Sequence, residues 1–138
     1  MNSSSPEQTK QIAANFAKTL KGGEVIFLYG DMGSGKTTFV QGFMAELGFL
    51  EPVRSPTFAL MHTYPVDYGL IKRVVHLDLY RLNDRKELRA FGLEEVLNDP
   101  ATIVLVEWPE KGFPEGWLPT HNIHFKIGIN NFRCIEIV

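Results

Sequence analysis

Residues 25–38 read Val25-Ile26-Phe27-Leu28-Tyr29-Gly30-Asp31-Met32-Gly33-Ser34-Gly35-Lys36-Thr37-Thr38, and the fold turns on this stretch. Its apolar opening, rich in β-branched and aromatic residues, predicts a strand over Val25–Tyr29. Gly30, four further residues and then Gly35-Lys36-Thr37 give the G-x-x-x-x-G-K-[ST] spacing of a phosphate-binding loop. Phe39, Val40, Phe43, Met44 and Leu47 follow at helical spacing, with Gly48 placed to stop the helix. A strand before the loop and a helix after it is the context that gives the motif its meaning.

Each residue type has a physical task there. Glycines 30, 33 and 35 permit backbone angles and close approaches that a Cβ would block. Backbone N–H groups can then converge on an anion, aided by the positive end of the helix beginning near Gly35. The Lys36 ammonium would reach the β- and γ-phosphates, and the Thr37 hydroxyl would ligate Mg²⁺. With average residue usage, a chain of this length matches the spacing by accident on the order of half a per cent of the time. The loop therefore reads as a nucleotide site.

Outward from the loop, 138 residues suffice for one domain, 1–138, with a single core and little room for a second. Hydrophobic residues make up 44% and charged ones 22%, the balance of an ordinary globular protein rather than a disordered one. A net charge of −2 gives no global attraction to nucleic acid or anionic membrane, so any RNA binding needs a local patch or another subunit. The one cysteine, Cys134, has no disulfide partner within the chain, which fits a reducing compartment. The first ten residues lack the apolar segment of a secretory signal, and no apolar run is long enough to span a bilayer. The expected location is the cytoplasm.

Before the loop, Ser5-Pro6-Glu7-Gln8 predicts a helix start, with Ser5 as N-cap and Gln8 closing a capping box. Ile12, Phe16 and Leu20 give that helix an apolar face, and Gly22-Gly23 end it. After the loop helix, Pro56 biases Ser55 towards extended backbone in Arg54-Ser55-Pro56-Thr57-Phe58. A hydroxyl in such a segment either senses the γ-phosphate, as in switch loops, or only starts a strand. Phe58–Tyr64 and Ile71–Leu79 predict two strands joined near Val66–Gly69. In the second, Val75, Leu77 and Leu79 share one face, while His76, Asp78 and Tyr80 share the other. His76 is either structural or a participant, and Asp78 is a candidate Mg²⁺ or water ligand.

Asp84-x-x-Glu87 has the form of a second capping box, and Arg81, Arg85, Lys86 and Arg89 form the densest basic cluster, either a solvated helix face or a contact for a partner, RNA or phosphate. Asn98-Asp99-Pro100 breaks the helix. Ile103–Val106 is a continuous apolar run, the pattern of a strand buried on both faces in a parallel sheet. Glu107 ends it, where ligands bind in open α/β sheets, which makes it the candidate Walker B carboxylate. The adjacent Trp108 would wall the site or meet a partner. Ile123–Ile129 and Phe132–Val138 alternate around Asn130-Asn131 and predict a closing hairpin.

Four strings, GDMGSGKTT, SPTF, HLDLYR and VEWPE, stand in this order between Gly30 and Glu110. Together they resemble the TsaE (YjeE) family, small bacterial ATPases required for threonylcarbamoyl modification of the tRNA adenosine beside the anticodon. The resemblance implies an α/β fold: a compact P-loop NTPase-like mixed sheet flanked by helices, with antiparallel hairpins. It implies ATP or ADP and Mg²⁺ as cofactors, slow hydrolysis in isolation, TsaB and TsaD as partners, and tRNA met only through that complex. By matching position, Gly33, Gly35, Lys36, Thr37 and Thr38 hold phosphates and Mg²⁺, and Glu107 and Trp108 match the VEW string. Asp31, the variable loop positions Met32 and Ser34, and Trp108 are counted with the nucleotide site, and Thr37 and Glu107 with the metal. Lys36, Asp78 and Glu107 are the catalytic candidates, and Ser55, Pro56 and Thr57 the switch-like loop. Glu107 is expected to act at Mg²⁺, directly or through water, with Asp78 orienting the attacking water or coupling the switch.

Two other functions share the loop chemistry. A small-molecule kinase would need an acceptor pocket and usually a lid, for which the chain leaves little length. A nucleotide-gated binding module would use ATP only to set the shape of the Ser55–Phe58 loop. A GTPase would carry an Asn-Lys-x-Asp string to read guanine, and none is present. Direct RNA modification sits poorly with the net charge, although the basic cluster keeps it open.

Overall fold

The computed structural model describes residues 1–53, 61–84, 86–90 and 92–138. Along the chain these form β1 (Asn2–Ser3), α1 (Pro6–Ala17), β2 (Val25–Tyr29), α2 (Lys36–Glu46), β3 (Met61–Tyr68), β4 (Ile71–Asp78), α3 (Lys86–Ala90), α4 (Leu93–Leu97), β5 (Thr102–Glu107), β6 (His121–Ile127) and β7 (Arg133–Ile137). Among the described residues one seven-stranded sheet runs in the order β1-β7-β6-β2-β5-β4-β3. Its centre, β6-β2-β5-β4, is parallel. The outer pairs, β3–β4, β6–β7 and β1–β7, are antiparallel. The fold is α/β and P-loop NTPase-like, with a mixed sheet and two antiparallel hairpins.

Alternation along the strands divides the core in two. Ile26, Leu28, Val74, Ile103 and Leu105 face α1 and α2, meeting Ala13, Phe16, Phe39 and Phe43. Phe27, Val75, Leu77, Val104 and Val106 face the opposite way, against Leu88 of α3, Leu93 and Leu97 of α4, and Phe113. Each large apolar side chain buried in this way contributes about 1.5–3 kcal/mol. All six residues of β5 are buried, as its unbroken apolar run predicts.

Several boundaries differ from expectation for local reasons. Ser5 caps α1 by accepting the Gln8 N–H at 3.2 Å, but the Gln8 side chain returns to the N–H of Ser4, one residue before the cap. The first helix ends at Ala17, before Gly22-Gly23. At the second box, the Asp84 carboxylate takes the Lys86 N–H at 2.9 Å, and no reciprocal bond from the Glu87 side chain is formed among the described residues. The predicted first strand of the β3–β4 hairpin runs on to Tyr68, after a register shift between Pro65 and Tyr68, and the turn falls at Gly69-Leu70. Pro65 is tolerated because among the described residues β3 is an edge strand, where a missing N–H costs no ladder bond. Strand β1 was not expected; Ser3 is buried there, its hydroxyl donating to Ser5 O and lying 2.7 Å from that of Thr9. Phe58 to Leu60 of the predicted strand lie outside the described residues.

Candidate functional site

The phosphate loop leaves the carboxyl end of β2, and its glycines serve different needs. A Cβ on Gly30 would meet Ser34 Oγ at 2.6 Å and Phe125 Cβ at 2.9 Å, so the loop closes against β6 only because this residue has none. Gly33 has open space around it but a φ of 80°, a left-handed conformation that a side chain disfavours. Helix α2 begins at Lys36 with Gly35 as its N-cap, and among the described residues no side chain caps it. Phe39 is the first to donate back along the helix, to Gly35 O at 2.9 Å. The N–H groups of Lys36, Thr37 and Thr38 have no acceptor within the helix, as first-turn groups never do.

Lys36 is folded inward, 6% exposed. Its ammonium donates to Gly30 O at 2.5 Å, lies 3.9 Å from Glu107 Oε1, and sits 4.5 Å from the centroid of the Trp108 ring. Ser34 Oγ is buried and has no hydrogen-bond partner among the described residues. Asp31, Met32, Gly33 and Thr37 are exposed, while Gly35 and Thr38 are partly so. An orphaned hydroxyl, an uncapped helix start and an inward ammonium within one loop fit the oxygens of a phosphate chain.

The carboxylates come from the neighbouring strands. In the parallel register Glu107 of β5 lies opposite Leu28 of β2 on one side and Asp78 of β4 on the other. Both carboxylates thus end strands beside the loop, where an open α/β sheet binds its ligands. Glu107 is buried and bonded through Oε2 to His76 Nε2 at 2.6 Å. Asp78 is half-buried and accepts the Tyr80 N–H at 3.0 Å. Burial pushes the Asp78 pKa up; the Tyr80 N–H opposes this, the charge of Glu107 adds to it, and His76 and Lys36 oppose it further. Trp108 adopts a left-handed backbone with φ 57°, and its ring packs 4.9 Å from that of Tyr80. That conformation costs on the order of 1–3 kcal/mol in a non-glycine residue, and it turns the indole over Lys36 as the chain leaves the sheet.

Lys36, Glu107 and Trp108 are brought into contact, with Asp78 beside Glu107. Ser55, Pro56 and Thr57 lie outside the described residues. Of the basic cluster, Arg81, Lys86 and Arg89 are exposed, and Arg85 lies outside the described residues. The partner of His76 was not foreseen. The alternation of β4 places His76 and Asp78 on one face, but only the register with β5 brings Glu107 to the imidazole.

A strand–loop–helix with an inward lysine, facing a strand-end carboxylate across a parallel sheet, defines a P-loop NTPase-like protein. The family model described as "Threonylcarbamoyl adenosine biosynthesis protein TsaE" matches residues 3–134, and the chain belongs to that family. Among its relatives, each called tRNA threonylcarbamoyladenosine biosynthesis protein TsaE, one from Haemophilus influenzae is 37% identical over 83% of this chain and 69% of its own. One from Aquifex aeolicus is 41% identical over 80% of this chain and 76% of its own. One from Bacillus subtilis is 42% identical over 75% of this chain and 61% of its own. The crystal structure of Bacillus subtilis YdiB is similar with a TM-score of 0.71 and 32% identity, covering 98% of this chain and 80% of that one.

Proposed function

We propose that this protein is a Mg²⁺-dependent ATPase, slow alone, that serves threonylcarbamoyl modification of tRNA together with TsaB and TsaD. The observation that carries the reading is the buried Lys36 ammonium, held between Gly30 O and Glu107 at the start of an uncapped helix. Such a lysine is poised to exchange a carbonyl for phosphate oxygens. The names of the relatives supply the pathway, and a cytoplasmic location goes with tRNA modification, tRNA being met only through the complex. Among the described residues no helix is long and apolar enough to cross a membrane. Because the described strands join one sheet, we read 1–138 as a single domain.

Bound Mg²⁺-ATP would bring the γ-phosphoryl group and much of the charge neutralisation that transfer requires. The chain's own groups orient it. Asp31–Thr38 wrap the phosphates, with Met32 and Ser34 contributing backbone, and Ser34 its hydroxyl as well. Thr37 and Glu107 hold the metal side, consistent with Mg²⁺ being bound by few protein ligands plus phosphates. Asp78 orients water, Trp108 covers the site, and Ser55, Pro56 and Thr57 form the segment that responds to nucleotide state. A partner-supplied arginine can add roughly a thousandfold or more in rate, which accounts for slow turnover alone.

The test is the ATPase rate with and without the two partner proteins. A low basal rate that rises with partners is expected. A rate indifferent to them but raised by a small acceptor molecule would identify a kinase instead. In an equilibrium ATP-binding measurement Lys36→Ala should lose a charge-assisted contact of ~1.5–3 kcal/mol, weakening ATP binding about ten- to a hundredfold. Unchanged affinity in that variant would refute the loop assignment.

A further inference from the structure

We propose that His76 is a positioning residue for Glu107, an imidazole that fixes one carboxylate oxygen so that the other is presented to the phosphate loop. The proposal rests on reading Glu107 as the carboxylate that acts at nucleotide-bound Mg²⁺.

The two residues meet through strand register. His76 on β4 is paired with Leu105, two residues before Glu107, and so projects from the same face of the sheet. A carboxylate can only accept, so Nε2 carries the hydrogen in the 2.6 Å bond to Oε2. This is the short separation of a charge-assisted bond. The other oxygen, Oε1, stands 3.9 Å from Lys36 Nζ, beyond hydrogen-bonding distance. A buried ammonium and carboxylate left to themselves would close to roughly 2.7–2.9 Å. Here they do not: the lysine bonds Gly30 O and the glutamate bonds His76. Each charge is held by a third group, so the gap between Lys36 and Glu107 stays open. Among the described residues the oxygen facing the loop is left uncommitted.

The remaining ring atom argues against a packing role. His76 is 1% exposed, and its Nδ1 has no hydrogen-bond partner among the described residues. A buried polar atom left unpaired costs about 1–3 kcal/mol, a cost that a leucine or valine would avoid. Val74, Val75 and Leu77 surround it in sequence, so an aliphatic residue would suit this strand. The bond to Glu107 is what the imidazole provides in return.

The test uses the full chain with His76→Leu, which keeps bulk without a donor; His76→Gln, whose amide nitrogen reaches about as far as Nε2; and His76→Asn, whose amide does not. ADP affinity is measured by calorimetry without and with Mg²⁺, and ATP turnover is measured alongside. In His76→Leu the affinity without Mg²⁺ should stay near wild type. The gain on adding Mg²⁺ should fall about ten- to a hundredfold, the usual effect of losing the group that orients a metal ligand. Turnover should fall in kcat more than in KM, and His76→Gln should restore most of both while His76→Asn does not. Equal behaviour of Gln and Asn, or an unchanged Mg²⁺ gain in His76→Leu, would overturn the proposal. So would a loss of Mg²⁺-free affinity that matches a lowered melting point in every variant, since that marks packing. If His76→Leu does not fold, the Gln and Asn pair decides alone.

Should the wild-type protein show neither Mg²⁺-enhanced ADP binding nor turnover, the ATPase reading fails, and the restraint is judged in nucleotide-free protein. There the Nε2–H proton of His76 should be visible by NMR, protected from exchange, and displaced in Glu107→Ala. A resonance that Glu107→Ala leaves in place would refute the contact itself.

Discussion

Asp78 works against the fold that holds it. Its folded-state pKa lies above the ordinary 3.8 because it is half-buried beside Glu107. The folded protein therefore binds more protons than the unfolded chain between 3.8 and that raised value, and stability falls as pH rises through the window. At neutral pH the ionised carboxylate is a net cost. Asp78→Asn keeps an acceptor for the Tyr80 N–H and removes the charge. It should raise the melting temperature at pH 7, and the gain should shrink as the pH is lowered towards the ordinary carboxylate range. Thermal unfolding across pH checks this, and a lower melting point at neutral pH would contradict it. Turnover should fall in the same variant, the mark of a group retained for function at the expense of stability. The residues of this site were readable from motif and strand end alone: Lys36 from its spacing, Glu107 from the apolar run before it. Their mutual contacts were not, because the His76–Glu107 bond depends on how β4 registers on β5 and no local pattern encodes that.

At the level of elements, α1 and α2 pack as closely as they do because of one helical glycine. A Cβ on Gly42 would lie 2.5 Å from Lys10 Cα and 2.7 Å from Lys10 O. Both are backbone atoms, so no rotamer change can relieve the clash and the helices must part. Alanine gains about 1 kcal/mol in helix propensity over glycine, and overpacking costs about 1–3 kcal/mol. The clash with backbone favours the upper end, so Gly42→Ala should lose a net 1–2 kcal/mol or so, read as a lower denaturant midpoint. A stabilised variant would show that the helices separate freely. Elements with strong periods or unbroken runs, β2, α2 and β5, could be placed from sequence within a residue or so. Those decided by single backbone events could not. The irregularity at Pro65 moved the β3–β4 turn, Gly92 at φ 72° separates α3 from α4, and the two residues of β1 are too few to show a period.

On the scale of the molecule, the order of strands was the least accessible feature. The continuous run in β5 predicts a parallel interior, but nothing local says that β2 lies between β5 and β6 rather than at an edge. The alternating tail reads as a hairpin with no chemistry of its own. Its first strand nevertheless completes the interior, pairing Ile26–Tyr29 with His121–His124, and its Phe125 lies against the space that Gly30 leaves open.

That pairing sets a schedule for the protein's birth. Ribosomes build chains at about 5–20 residues per second, so β6 emerges roughly 5–20 s after the strand it must flank. Until then the phosphate loop has been synthesised but has only one side of its support. Nascent chains stalled at increasing lengths should gain protection from protease by ATP only once residue 127 has cleared the exit tunnel, and protection of much shorter chains would contradict this. Nucleotide capture would then be available only to chains whose first 127 residues have left the ribosome, which makes the ligand a report on delivery of the last interior strand.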